Sequence, residues 1–149
     1  MVEIGIRKLD LVDMDAAARV HRAAFDERLP WLAGLHTPEE DRQFYRTQVF
    51  RDCAVWGAGD GVELVGVVAF RPMWIDQLYV MPSSQGRGIG SKLLDIARAE
   101  QRSVSLWTFQ RNAPARRFYE GRGFVAIQET DGAGNEEREP DILYRWKRP

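Results

Sequence analysis

The sequence predicts a mixed α/β (α+β) domain built on one central sheet. Apolar residues recur at helical spacing in four stretches and at strand spacing in seven. The order is strand, two helices, three strands, helix, strand, helix, two strands, which suits a single sheet covered by helices. At 149 residues the chain is long enough for one domain, residues 1–149, with a proper core.

Taken in order, Val2 to Arg7 alternates apolar and polar residues, the pattern of a first strand. Asp13 is placed to cap a helix running to about Phe25, with Ala17, Val20, Ala24 and Phe25 on its apolar face. Thr37-Pro38-Glu39-Glu40 starts a second helix, to about Phe50: a Thr cap, Pro in the first turn, and Glu where a capping box needs it. Cys53 to Ala58, Leu64 to Arg71 and Trp74 to Val80 read as an antiparallel meander, turned by Gly59-Asp60-Gly61 and by Arg71-Pro72-Met73. Ile89, Leu93, Leu94, Ile96 and Ala97 give a helical stripe ending near Gln101. Val104 to Phe109 is a strand. Asn112 caps a helix from Ala113 to Glu120, and Gly121 and Gly123 stop it. Phe124 to Thr130 and Asp141 to Trp146 are the last strands. The turn-rich loop between them, Asp131 to Asn135, is expected to be mobile.

Composition narrows the function. Lys and Arg (21) nearly balance Asp and Glu (22), which argues against a protein that coats nucleic acid. Arg116, Arg117 and Arg122 are left as one candidate local basic patch. Cys53 is the only cysteine, so an internal disulfide and a cysteine-based zinc site are excluded. Its apolar neighbours predict a buried small hydrophobe. No metal site is expected. Met1 to Leu11 carries Glu3, Arg7, Lys8 and Asp10 and lacks the apolar run of a signal peptide, and no stretch is apolar enough to span a membrane. A cytoplasmic protein is the expectation.

The most informative stretch is Leu78-Tyr79-Val80 followed by Gln85-Gly86-Arg87-Gly88-Ile89-Gly90-Ser91, a strand, a glycine turn and a helix start. Such a junction offers free backbone N–H groups and a positive dipole end to an anion. The glycines allow close approach, and Arg87 adds a full charge. A diphosphate is the natural guest. The phosphate loop of NTPases needs Gly-Lys-Ser/Thr, and here Ser91 and Lys92 stand in the opposite order. The dinucleotide fingerprint needs a third Gly where Ser91 stands, and a parallel βαβ setting that the meander does not provide.

Gln85-Gly86-Arg87-Gly88-Ile89-Gly90 resembles instead the acyl-CoA diphosphate loop of the GNAT superfamily of N-acetyltransferases. Asn112-Ala113-Pro114-Ala115-Arg116-Arg117-Phe118-Tyr119-Glu120-Gly121-Arg122-Gly123-Phe124 resembles that family's second block, with one helix and one strand between the two. The likeness runs from about Leu64 to Phe124. It implies a central, mostly antiparallel sheet flanked by about four helices. It also implies acetyl-CoA as acyl donor and a primary amine as acceptor, attacking directly in a ternary complex. The short, nearly neutral chain leans toward a small-molecule amine. A protein N-acetyltransferase, and a non-catalytic acyl-CoA-binding or interaction module, are the alternatives. No nucleic-acid or membrane partner is expected, and a homodimer is left open.

Carried over residue by residue, the resemblance gives backbone N–H groups of Arg87 to Ser91, including Gly88, Ile89 and Gly90, to the diphosphate. Gln85 and Gly86 shape the loop. The backbone of Leu78, Tyr79 and Val80 would pair with the amide-bearing pantetheine arm as a strand does. By position, Leu78 matches the family's backbone N–H donor to the thioester carbonyl. Asn112 would contact that arm or cap its helix. Tyr119 matches the general acid near the sulfur. The base does not carry over: Trp74 stands where many relatives have Glu. Asp76 is the nearest candidate base, otherwise a strand-edge carboxylate bonded to backbone, with His36 and water as the others. Glu27 to His36, with Trp31, Leu32 and Leu35, would wall the acceptor pocket, and Asp131 to Glu139 would close its far side. Aromatic rings with carboxylates suit a cationic amine.

Overall fold

The computed structural model describes residues 3–149, so Val2, the predicted start of the first strand, lies outside the described residues. Among them, seven strands form one open sheet: β1 (Gly5–Lys8), β2 (Ala54–Gly59), β3 (Leu64–Arg71), β4 (Trp74–Val80), β5 (Ser103–Phe109), β6 (Val125–Glu129) and β7 (Asp141–Lys147). Their order is β1-β2-β3-β4-β5-β7-β6, and every pair is antiparallel except β4 with β5.

Helix α1 (Met14–Arg28) follows a 3₁₀ turn at Leu11–Asp13. Asp13 secures that turn by accepting from the Asp10 N–H at 2.8 Å. Helix α2, residues 38–52, runs α-helical through Pro38–Phe44, widens to a π turn at Tyr45–Val49, and closes at Phe50–Asp52. The capping box forms: Thr37 Oγ1 accepts from the Glu40 N–H at 3.1 Å, and Glu40 accepts from the Thr37 N–H at 2.7 Å. The Arg22 guanidinium forks onto buried Asp41 at 2.8 and 2.9 Å and ties α1 to α2.

These two helices cover one face of the sheet with Met14, Ala17, Val20 and Tyr45 against Val55 and Val67. Helices α3 (Ile89–Arg98) and α4 (Ala113–Glu120) cover the other, where Leu93 and Leu94 are fully buried against Val104, Ile142 and Tyr144. Each such leucine contributes about 1.5–3 kcal/mol of burial.

The one parallel pair positions the site. β4 and β5 meet only at Trp74 and Ser105, where the Ser105 N–H donates to the Met73 carbonyl at 2.9 Å. Beyond that point the strands part. The edge of β4 from Ile75 to Val80 is left without a strand partner and faces the gap. A register shift opposite Ala69 and Phe70 makes Asp76 the extra residue of a bulge in β4.

Three expectations are corrected. The 131–140 loop is cross-tied: Asn135 Nδ2 donates to the Glu139 carbonyl at 2.8 Å and to Asp141 at 3.2 Å. The basic patch does not form, because its members diverge. Arg116 turns to Tyr144 and Arg122 to Ser91, while Arg117 is exposed. Cys53 precedes β2 and is half-buried, with its thiol donating to Asp76 Oδ2 at 3.3 Å.

Candidate active site

The gap between β4 and β5 is a cleft of about 340 Å³. Its walls are Ile75–Val80 on one side and Leu106–Phe109 on the other, with Phe25 and Arg28 of α1 and Pro114–Tyr119 of α4 around them. The glycine turn and the first residues of α3 close one end. The resemblance joined these elements from two sequence blocks, and the splayed strands bring them onto one cavity.

At the glycine end the local chemistry suits an anion. Gly86 and Gly88 have φ of +80° and +79°, a conformation that only glycine adopts cheaply, and a Cβ on either would meet no protein atom. Gly90 has neighbours: a Cβ there would lie 3.2 Å from the Phe118 ring, so this glycine lets α3 and α4 approach each other. Gln85 fixes the turn by donating to the Val80 carbonyl at 3.0 Å. Ser91 lines the cleft, and its hydroxyl oxygen receives two N–H bonds from Arg122 at 2.9 and 2.6 Å. Those bonds occupy the oxygen's lone pairs and leave its O–H free to donate elsewhere.

Arg87 does not supply the charge here. Its side chain is exposed outside the cleft wall, and its field acts on Asp60 in the β2–β3 turn. The cations on the wall are Arg28 and Arg122, which come from the end of α1 and the residues after α4.

Tyr119 lines the cleft from α4, edge-on to Phe118 and Phe124. Burial, aided by Tyr79, pushes its phenol above the ordinary range. It therefore stays protonated at neutral pH, as a donor must. Asn112 takes the capping role, accepting from the Ala115 N–H at 3.3 Å, and also borders the cleft. Leu78, Tyr79 and Val80 all line the cavity. The Tyr79 ring turns away, toward α1, and stacks on His21 at 4.2 Å.

Asp76 also borders the cavity, but its carboxylate is engaged. Arg71 Nε donates to it at 2.8 Å, and so does the Cys53 thiol. Burial and that carboxylate push the thiol up to about 12. Trp74 lies under the Arg71 guanidinium, at 5.4 Å. His36 is paired with Glu136 at 3.1 Å.

Trp31 and the Asp131–Glu139 loop do meet. The Trp31 indole N–H donates to Glu139 at 2.9 Å. The ring is covered by Arg111 at 5.1 Å, and Arg111 also stands 3.4 Å from the second Glu139 oxygen. The aromatic face and the carboxylate expected for a cationic amine are thus used by an internal arginine. Phe25 and Phe109, edge to face at 6.1 Å, line the cleft near this wall.

A model of the acetyltransferase (GNAT) family matches residues 5–124. The chain belongs to the GNAT family. Acetyl-CoA is the acyl donor of GNAT enzymes. The chain is similar to a probable N-acetyltransferase of Mycobacterium tuberculosis, 36% identical over 80 residues, spanning 48% of this chain and 46% of that one. It thus matches just under half of the mycobacterial relative. An uncharacterized N-acetyltransferase of Archaeoglobus fulgidus is 31% identical over 157 residues, covering 88% of this chain and 99% of its own. The GNAT fold is shared with apo YjaB of Escherichia coli (TM-score 0.79, 18% identity, 97% of each chain). It is shared too with PaiA N-acetyltransferase of Thermoplasma acidophilum in complex with coenzyme A (TM-score 0.71, 22% identity, 98% of this chain and 99% of that one). Among the described residues, no helix is long and apolar enough to cross a membrane.

The sequence does not single out His21; Arg28 and Glu139 enter only as members of the Glu27–His36 and Asp131–Glu139 walls, and Arg122 only within the second block and the candidate basic patch. Each acquires its role from a partner many residues away.

Proposed function

We infer that the protein moves the acetyl group of acetyl-CoA to a small primary amine, by direct attack in a ternary complex. The observation that carries this reading is one cleft with a glycine anion cradle at one end and the Tyr119 phenol on its wall. The backbone N–H groups from Arg87 to Ser91 would hold the diphosphate. The open edge of β4 from Leu78 to Val80 would bond the amides of the pantetheine arm, with Leu78 polarising the thioester carbonyl. Tyr119 would donate its proton toward the departing sulfur as the C–S bond breaks.

Direct attack is supported by Cys53. It is the only cysteine, and a thiol pushed up to about 12 is not a thiolate at neutral pH, so it makes a poor acyl carrier. We give the amine's proton to water rather than to Asp76. The Asp76 carboxylate is already bonded by Arg71 and Cys53, and His36 by Glu136.

Calorimetry with acetyl-CoA and desulfo-CoA tests the donor half, and binding of neither would end the reading. A panel of small amines followed by thiol release tests the acceptor half. Tight donor binding with no thiol release above hydrolysis, for any amine or peptide, would favour a binding module instead. Turnover of peptides alone would favour a protein acetyltransferase.

A further inference from the structure

The two arginines on the cleft wall share a property. Arg22, Arg46 and Arg71 each meet a carboxylate in this fold. Arg28 donates instead to the neutral Gln85 side-chain oxygen, and Arg122 to the neutral Ser91 hydroxyl. Asp76, the one carboxylate-bearing residue of the cleft lining, is held away by Arg71. Among the described residues neither arginine is within ion-pair distance of a carboxylate, so the glycine end carries cationic charge beside a turn whose positive-φ glycines leave open space.

Arg28 is the more telling of the two. It is the last residue of α1, and Leu29 after it is buried, so the base of its side chain is anchored. Its guanidinium crosses to a residue 57 positions away, inside the diphosphate turn itself. Gln85 is held there independently through the Val80 carbonyl. An amide oxygen is a weaker partner for a guanidinium than a phosphate oxygen, which offers charge and forked geometry. An arginine in the last turn of a helix also complements the helix dipole, which would be a purely structural role.

We propose that Arg28 is a phosphate ligand of the acyl donor, releasing the Gln85 oxygen and turning its guanidinium to the diphosphate when the donor enters the cleft. This rests on the acetyl-CoA reading above. It adds a side chain from α1 to a cradle otherwise made of backbone. The inference also gives the end of α1, one turn before Trp31, a direct stake in donor binding.

The experiment compares donors shortened in steps: acetyl-dephospho-CoA lacks only the 3′-phosphate, and S-acetylpantetheine lacks the diphosphate together with the adenosine. Calorimetry is run on wild type, Arg28→Met, Arg28→Lys and Gln85→Glu with acetyl-CoA, acetyl-dephospho-CoA and S-acetylpantetheine. Met keeps most of the apolar stem, and thermal unfolding checks that each variant folds. Arg28→Met is expected to weaken acetyl-CoA and acetyl-dephospho-CoA by about 10- to 100-fold, the scale of a lost hydrogen bond to a charged group, and S-acetylpantetheine hardly at all. Arg28→Lys keeps the charge and loses the fork, so it falls between. Gln85→Glu gives Arg28 a carboxylate to hold it and should weaken both phosphorylated donors. An equal loss for S-acetylpantetheine would overturn the proposal and make Arg28 a strut. Unchanged acetyl-CoA affinity in Arg28→Met would overturn it as well. A loss seen with acetyl-CoA but not with acetyl-dephospho-CoA would move the contact to the 3′-phosphate and reject the diphosphate assignment. Should wild type bind no donor, the acetyl-CoA reading fails first, which is a distinct result.

Discussion

The Trp31 indole N–H donates to the carboxylate of Glu139 at 2.9 Å, joining two loops that are 108 residues apart in the chain. With the His36–Glu136 pair beside it, this bond holds the loop after α1 against the loop between β6 and β7. Glu139 is 5% exposed, and its second oxygen accepts no hydrogen bond among the described residues. Trp31→Phe would leave that buried carboxylate with Arg111 alone. The expected result is a loss of about 1–3 kcal/mol in chemical unfolding. Neither residue lines the cleft itself, and we propose that the two loops they join wall its acceptor side, so the acceptor KM should rise severalfold while acetyl-CoA affinity holds. A change in acetyl-CoA affinity as large as that in acceptor KM would remove the wall from the acceptor side.

Tyr119→Phe removes a hydroxyl and little volume. If the phenol protonates the leaving sulfur, turnover should fall by about 10²–10⁴-fold, with acetyl-CoA affinity changed far less. Steady-state kinetics beside calorimetry separates the two. Turnover close to wild type would leave Tyr119 a packing residue.

Asp76→Asn is expected to act in the opposite way. It breaks the Arg71 ion pair, which is partly exposed and is worth at most about 1 kcal/mol. With the amine's proton going to water, kcat should stay within about threefold, well short of the 10²-fold or more that a general base supplies. Loss of turnover with its acidic pH limb abolished would reinstate Asp76 as the base.

His21 makes stability depend on pH. It stacks on Tyr79, and its Nδ1 lies 2.8 Å from the Tyr45 hydroxyl; burial is the main reason its pKa drops to about 3. The fold keeps the ring neutral, whereas the unfolded chain takes up a proton below its ordinary 6.5. Stability is therefore full above that value and is lost as pH falls through the window from 6.5 toward 3. The expected loss is about 2 kcal/mol from about pH 7.5 to about pH 5 beyond that of His21→Gln, by urea unfolding. Parallel curves for the two proteins would contradict it.

Gly88→Ala places a Cβ in open space on a backbone with φ of +79°. The strain is about 1–2 kcal/mol, and the methyl enters the volume assigned to the diphosphate. Acetyl-CoA affinity should fall by more than that strain alone explains. Binding that fell no further than unfolding stability would place the phosphates elsewhere.

The legible parts of this protein were local. The Thr37 box, the Asn112 cap and the glycine turn each work through hydrogen bonds within a few residues, so their letters predicted their geometry. Leu64 to Arg71 and Trp74 to Val80 read as neighbouring strands of an antiparallel meander, and β3 and β4 pair that way. The Gln85–Ser91 turn reads as an anion site, and in the structure its Gly86 and Gly88 have positive φ with open space around them.

What the chain could not announce were contacts between distant segments. Arg87 lies in the motif, yet it points outward, while Arg28 and Arg122 arrive from 57 and 31 residues away. Asp76 reads as a candidate base or a carboxylate bonded to backbone, and the bulge in β4 instead sets it between Arg71 and Cys53. The sequence by itself determined the strand and helix pattern, the glycine turn that we propose for the donor, and the likeness to the GNAT family. The tertiary structure decided where strands β4 and β5 part and which side chains look into the gap. The reason is physical: periodicity and capping are set by neighbours along the chain, whereas a side chain's direction is set by whatever packs against it once the sheet has closed.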